Sequence, residues 1–227
     1  MWTDRHDGVS EPPYDGANLS SSSHDATDAV IENRRRLADR LGLVEPGAWW
    51  WLRQVHGGGV VVAAGSPSQT PPEADALVTT EAGLPLAVLT ADCAPIVLAS
   101  DTAAGAVHAG WPGLLAGVIE SAVARLHAVG SGPIRAALGP CIHPAHYEFG
   151  RDDLDRVVAR LGPSLEGRTA DGRPALDVPA GVRAALDRAG VEHLDDVDVC
   201  TAESNDYFSH RRDGETGRQA LVVVLDG

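Results

Sequence analysis

The sequence predicts an α+β or layered α/β protein. Short apolar runs bounded by Gly, Pro or Asp read as buried strands. Segments with helical spacing lie among them, but without the regular alternation of a doubly wound sheet. No Gly-x-Gly-x-x-Gly follows a first strand, so a dinucleotide-binding fold has no support.

Residues 1 to 25, rich in Gly, Pro, Ser and Asp, read as extended or looped. Ala26 to Leu41 has Val30, Leu37 and Leu41 on one side and arginines on the other, which predicts an amphipathic helix. Trp49 to Val55 and Val60 to Ala64 predict two strands separated by Gly57, Gly58 and Gly59. The triplet Trp49, Trp50 and Trp51 is most simply a strand anchored in the core. Ser66 to Glu73 is a Pro-rich loop. Asp75 to Thr79, Pro85 to Ala91, Pro95 to Ala99 and Gly105 to Ala109 follow as strands. Pro112 to Val129 predicts one helix, with Leu115, Val118, Ile119, Ala122 and Leu126 at helical intervals and Pro112 in the first turn. Arg135 to Leu138 is a strand, Asp152 to Leu161 and Val178 to Ala189 are helices, and Val197 to Thr201 and Gln219 to Leu225 are closing strands.

The 227 residues suit one fairly large domain, or at most two small ones. Eighteen basic side chains, all arginine, stand against 32 acidic ones, for a formal net charge of −14. That charge repels nucleic acid and anionic membranes but leaves room for a small anionic substrate at a local arginine pocket. Cys93, Cys141 and Cys200 are too few and too widely spaced for a disulfide framework. No apolar run reaches membrane-span length, and Met1 to Ser10 has no signal-peptide core, so a reducing cytoplasm is the expected address. No feature specifies an oligomeric state.

Three segments place a soft or borderline metal ligand at the end of an apolar strand, beside small residues. They are Gln54-Val55-His56-Gly57, Ala91-Asp92-Cys93-Ala94-Pro95 and Val107-His108-Ala109-Gly110-Trp111. Two imidazoles and a thiolate make a three-ligand set for zinc with one position left open. Asp92, next to Cys93, is a candidate general base or outer carboxylate. Spacing alone equally allows hydrogen-bonded structural histidines and an inert buried cysteine. Arg34 lies on an amphipathic helix, where a solvated face is the default. Of Arg211 and Arg212, Arg211 is the better phosphate candidate. Cys141 reads as core, and Pro144 between His143 and His146 makes a loop of that pair.

These segments, read in order, resemble the laccase-domain family, whose members are called polyphenol oxidase, peptidoglycan editing factor and purine nucleoside phosphorylase. Further carriers are Tyr14-Asp15-Gly16-Ala17-Asn18-Leu19, Glu32-Asn33-Arg34, Ala74-Asp75-Ala76-Leu77-Val78-Thr79, Gly139-Pro140-Cys141-Ile142 and Tyr147-Glu148. Phe208-Ser209-His210-Arg211-Arg212-Asp213 and Thr216-Gly217-Arg218 close the series. The resemblance covers residues 1–227 as one domain and implies a four-layer α/β/β/α sandwich with mixed sheets. It implies that His56, Cys93 and His108 bind one metal ion, zinc, with copper the other possibility. It implies phosphorolysis of adenosine, inosine or methylthioadenosine, with phosphate as the second small molecule, or deamination of adenosine. Asn18, Arg34, Asp92 and Ser209 are then expected near the substrate, Asp92 and Arg34 as catalytic groups and Asn18, Ser209 and Arg211 as binding groups. Two departures stand out: Pro112 replaces the arginine common after His-Ala-Gly-Trp, and Asp7 takes the first glycine position of the N-terminal Gly-Gly-Val-Ser pattern.

Other chemistries fit less well. A multicopper oxidase needs His-x-His pairs, and the chain has none; its only methionine, Met1, leaves no axial ligand for blue copper. The His-x-Glu and Pro-Cys-x-x-Cys signature of zinc deaminases is absent. A cysteine amidase editing peptidoglycan precursors would use Cys93 as nucleophile and His108 as base, in competition with metal binding. A purely structural zinc would want a fourth protein ligand.

Overall fold

The computed structural model describes residues 1–191 and 193–227. Among the described residues the order is α1 (Thr27–Leu41), β1 (Trp50–Trp51), β2 (Val60–Val62), β3 (Ala76–Thr79), β4 (Leu86–Thr90), β5 (Ala94–Ala99) and β6 (Ala104–Ala109). Then come α2 (Trp111–Ala116), α3 (Val118–Val129), β7 (Arg135–Leu138), α4 (Arg151–Leu161), β8 (Glu166–Arg168) and β9 (Pro174–Leu176). The last elements are α5 (Val178–Arg188), β10 (His193–Asp196), α6 (His210–Asp213) and β11 (Gln219–Val223). The larger sheet runs β10-β7-β5-β6-β3-β2 and the smaller β1-β4-β11, while β8 and β9 form a separate hairpin. Both main sheets are mixed: β10/β7, β2/β3 and β1/β4 pair parallel, the remaining neighbours antiparallel.

Strand alternation sorts the apolar side chains into three cores and thereby four layers. On β4 and β11, Ala87, Ala220 and Val222 face Leu37 and Ala38 of α1. The alternate residues Leu86, Val88, Leu221 and Val223 meet Leu77, Ala104 and Ala106 of the larger sheet. The opposite face of that sheet, with Ala76, Val78, Ile96, Leu98 and Val107, packs on Ile119, Val123, Leu126, Leu154, Val182 and Leu186 of the helices. The order is therefore α1, small sheet, large sheet, helices, as the expected α/β/β/α sandwich requires. No helix of the described residues is long and apolar enough to cross a membrane.

Several elements differ from the sequence reading, each for a local reason. The single helix expected over Pro112–Val129 is two, because Gly117 adopts a left-handed backbone (φ 75°) that caps α2 and starts α3. The strand expected over Trp49–Val55 shrinks to β1. Beyond it the Gln54 side chain takes over, its amide donating to the Leu89 carbonyl (2.7 Å) and accepting from the Leu89 N–H (2.8 Å). Val197–Thr201 forms no strand: β10 pairs with β7 one segment earlier, and only Cys200 bridges back, to Cys141. The β8–β9 hairpin lacks apolar alternation, and four-residue α6 is too short to show a period.

The break at Gly117 is a sterically demanding position rather than a packed one, since an added Cβ meets nothing closer than Glu120 Oε2 at 3.7 Å. Gly117→Ala is expected to cost about 1–2 kcal/mol from left-handed strain alone. The denaturant midpoint of the variant measures this. An unchanged or raised midpoint would show that the two helices do not need the break.

Candidate metal centre

Two neighbouring antiparallel strands bring Cys93 and His108 to the same end of the larger sheet. Pro95 pairs with His108, and Cys93 immediately precedes β5. The parity that turns Ala104 and Ala106 towards the small sheet turns His108 the same way at the end of β6. His56 arrives from the loop between β1 and β2, on a left-handed backbone (φ 57°) unusual for a non-glycine residue. Asp92 is also left-handed (φ 101°), so backbone strain is concentrated at this end of the sheet.

One carboxylate holds the arrangement. Asp75, fully buried just before β3, accepts from the backbone N–H groups of His56 (2.9 Å), Gly57 (2.7 Å) and Val55 (3.3 Å). The same carboxylate meets Nδ1 of buried His108 at 2.9 Å, and its own carbonyl accepts the His108 N–H at 2.8 Å. Nε2 of His108 is therefore the ring nitrogen left for other work. The donor atoms of His56, Cys93 and His108 all lie within 4.8 Å of one another, with Cys93 Sγ 3.7 Å from His56 Nε2. Gly110 completes the cradle, since a Cβ there would sit 2.7 Å from His56 Cδ2 and 3.1 Å from Cys93 Sγ.

Electrostatics favour an ionised thiol. Burial opposes the Cys93 thiolate, but the charge of His108 and hydrogen bonds from both imidazoles outweigh it and pull the thiol down to about 6. Burial likewise opposes the His108 imidazolium, and the Cys93 charge together with Asp75 pushes it up to about 9. Burial raises Asp75, yet its bonds to His108 and Gly57 hold it below the usual carboxylate range. Thiolate and imidazolium stabilise each other here, and a divalent cation would take the place of the proton by the same attraction. One thiolate and two imidazoles, with an outer carboxylate on a ring nitrogen, are a donor set that fits zinc and also copper.

The remaining expected site residues divide into two groups. Asp92, Arg211 and Ser209 fall in one network beside the donors. Asp92 Oδ1 accepts from Thr201 Oγ1 (2.7 Å) and Oδ2 from the Arg211 N–H (2.7 Å), so both oxygens are engaged. Ser209 caps α6 by accepting the Arg212 N–H at 3.2 Å. The Arg211 guanidinium lies over the Tyr147 ring, 4.7 Å from its centroid. Burial pushes the Tyr147 phenol up to about 12, with Cys93 and Asp92 adding to it, and keeps it protonated. Tyr147 leads edge-to-face through Phe149 to Trp111, an aromatic wall along this face. Arg212, by contrast, is spent on the carbonyls of Thr201, Ser204 and Tyr207.

Asn18 and Arg34 make other contacts. The Asn18 amide is fully engaged by Ser23, Asp25, Ser20 and the Arg218 backbone N–H. Arg34 donates twice to the Leu19 carbonyl and stacks over Trp51 at 3.8 Å. Burial brings its guanidinium down to about 10, still charged at neutral pH. A cavity of about 370 Å³ lined by Tyr14, Ser20, His210, Thr216 and Arg218 lies on this side and does not include the three donors. Arg218 links the two regions, being the wall residue whose charge interacts with both Cys93 and Asp92. Sequence reading missed Asp75 and Gly110 as site residues. The available signal for Asp75 was an acidic residue heading an otherwise apolar strand.

The model of the multi-copper polyphenol oxidoreductase laccase family matches residues 1–226. A purine nucleoside phosphorylase of Streptomyces coelicolor is 45% identical, with 99% of this chain and 94% of the relative covered. One from Corynebacterium glutamicum is 41% identical, with 99% and 93% covered. The crystal structure of YlmD from Geobacillus stearothermophilus superposes with a TM-score of 0.89 at 32% identity, covering 100% of this chain and 91% of that one. The relatives are thus named as enzymes, and the fold is shared along the whole chain.

Two consequences follow from the geometry. Asp75→Asn keeps the shape but weakens both the His108 contact and the hold on the His56 turn. Zinc affinity measured by chelator competition is expected to drop about 10–100-fold, and an unchanged affinity would remove Asp75 from the centre. In metal-stripped protein, alkylation of Cys93 should rise with a midpoint near pH 6, where its thiolate forms. A midpoint near the free-cysteine value of about 8.5 would contradict the ion pair with His108.

Proposed function

The chain belongs to the multi-copper polyphenol oxidoreductase laccase family, and on that footing we propose that it is a zinc-dependent purine nucleoside phosphorylase. The observation that carries the reading is the number of donors. Among the described residues His56, Cys93 and His108 converge without a fourth protein ligand, the arrangement of a catalytic rather than a structural zinc. The names of the relatives supply the substrate class.

In phosphorolysis an oxygen of phosphate bonds to the ribose anomeric carbon as the bond to the purine nitrogen breaks, and the purine leaves with the electron pair and gains a proton. Zinc bound at the three donors would supply a Lewis acid for an anionic oxygen. The chain's own residues do the rest. Phe149 and Trp111, in edge-to-face contact, would offer ring surface for a flat base. Exposed Arg211, held by its backbone to Asp92 and by its side chain over Tyr147, is placed to meet phosphate charge. Asp92 then serves as a positioning group for Arg211 and Thr201. Asn18, Ser209 and Arg34 would act on the substrate through the segments that they hold. Adenosine, inosine and methylthioadenosine are the substrates to try, with adenosine deamination the other reaction to look for.

A second reading has one specific observation behind it. Asp75, His108 and Cys93 form a carboxylate–imidazole–thiol series with a depressed thiol, the arrangement of a cysteine hydrolase such as an amidase acting on peptidoglycan precursors. Against it, His56 brings a second imidazole nitrogen to 3.7 Å from the same sulfur, which nucleophilic attack does not need.

Liquid chromatography of products separates these readings. Adenosine and inosine are incubated with protein, with and without phosphate, beside a Cys93→Ala control. The expected result is phosphate-dependent release of adenine or hypoxanthine that is lost in the control, despite Pro112. Inosine formed from adenosine without phosphate would make the protein a deaminase. No product from either nucleoside would overturn the purine reading in favour of the hydrolase.

A further inference from the structure

A second group of metal-type donors lies outside the centre just described. His146, Cys200 and Glu203 place one ligand atom each within 4.8 Å of the others. His146 ends a short 3-10 turn, Pro144–His146. Cys200 and Glu203 are three residues apart in a turn where the N–H groups of Glu203 and Ser204 both return to the Cys200 carbonyl, so their side chains share one side. The geometry points to a second transition-metal site of the zinc class on these three residues.

Three features carry this beyond mere proximity. The donor set is chemically coherent: thiolate, imidazole and carboxylate are the three zinc ligand types, and their summed charge matches a divalent ion. Cys200 is anchored and buried, 5% exposed, bridged to Cys141, with its sulfur accepting the His143 N–H at 3.3 Å. A backbone donor to sulfur is the outer contact that a metal-bound thiolate uses. His146 and Glu203 meet it from the surface, 39% and 76% exposed and 3.9 Å apart, which leaves an entry path and an open position. Arg212, whose charge interacts with Cys200, donates to the carbonyls of Thr201 and Ser204 and to Asp213 rather than to these donors.

The two sites are adjacent through covalent neighbours. Cys200 precedes Thr201, whose hydroxyl donates to Asp92, and Asp92 precedes Cys93. His146 precedes Tyr147, the ring beneath Arg211. An ion at the second site would pin both turns, and with them the Thr201 and Tyr147 side of the first centre.

The test is zinc counting on the full chain by native mass spectrometry, with Cys93→Ala, Glu203→Gln and His146→Ala beside the wild type. Wild type is expected to take two ions and Cys93→Ala one. Glu203→Gln, at an exposed position checked by its melting curve, should weaken one binding step about tenfold or more, beyond the lower end seen for outer-contact changes. With cobalt as probe, Cys93→Ala should keep a thiolate-to-metal absorption that His146→Ala then removes. One ion in wild type, loss of all thiolate absorption in Cys93→Ala, or two ions insensitive to both surface variants would each overturn the proposal. This test does not depend on the substrate.

Discussion

The buried Asp75 carboxylate is the interaction on which the site depends. It has no hydration to fall back on, so its lone pairs must be met from within the protein. They are met by three consecutive backbone N–H groups at Val55 to Gly57 and by the His108 ring. One group therefore joins the β1–β2 loop, the head of β3 and the end of β6. Without it His56 would sit on an untethered loop and a left-handed backbone, and the His108 ring would have no fixed orientation. Its depressed pKa comes largely from that contact, and the raised basicity of His108 comes from Cys93 and Asp75 together.

The four-layer sandwich serves this contact by burying it. The larger sheet is covered on both faces, so the ends of β5 and β6 emerge in a protected place where a thiolate and two imidazoles can stand close together. Small residues make room: Ala94, Ala109 and Gly110 border the donors, and any side chain at 110 would collide with two of them. Tyr147, whose phenol feels the Cys93 charge, carries the Arg211 guanidinium over its ring and meets Phe149 edge-on. In a chain of net charge −14, a local arginine such as Arg211 would, under the proposed phosphorolysis, be what attracts phosphate.

Much of this was legible in the sequence because burial writes itself as apolar runs. β3, β4, β5 and β6 stand out as Ala/Val/Leu/Ile stretches, with Cys93 and His108 at the ends of two of them. The family resemblance joined these with His56 into one site, which no spacing could do, since sheet pairing brings Cys93 to His108 and the Asp75 carboxylate holds the loop of His56, 52 residues before His108. What stayed hidden depends on contacts rather than pattern. Gln54 replaces a strand by a side-chain amide, Gly117 splits a periodic helix, and Asp75 looks like any strand-capping acid until its partners are seen. Asn18 and Arg34 were expected at the substrate. Their side chains bond to backbone and neighbours on the α1 side, so any part they play is through the segments they hold.

Anomalous diffraction at the zinc edge, from crystals of protein purified without added metal, tests the centre most directly. The expected result is a peak bonded to His56 Nε2, Cys93 Sγ and a His108 ring nitrogen at about 2.0–2.3 Å, with Asp75 outside the coordination sphere on His108. No anomalous peak between these three residues in catalytically active crystals would contradict the metal centre and leave the thiol of Cys93 as the reacting group.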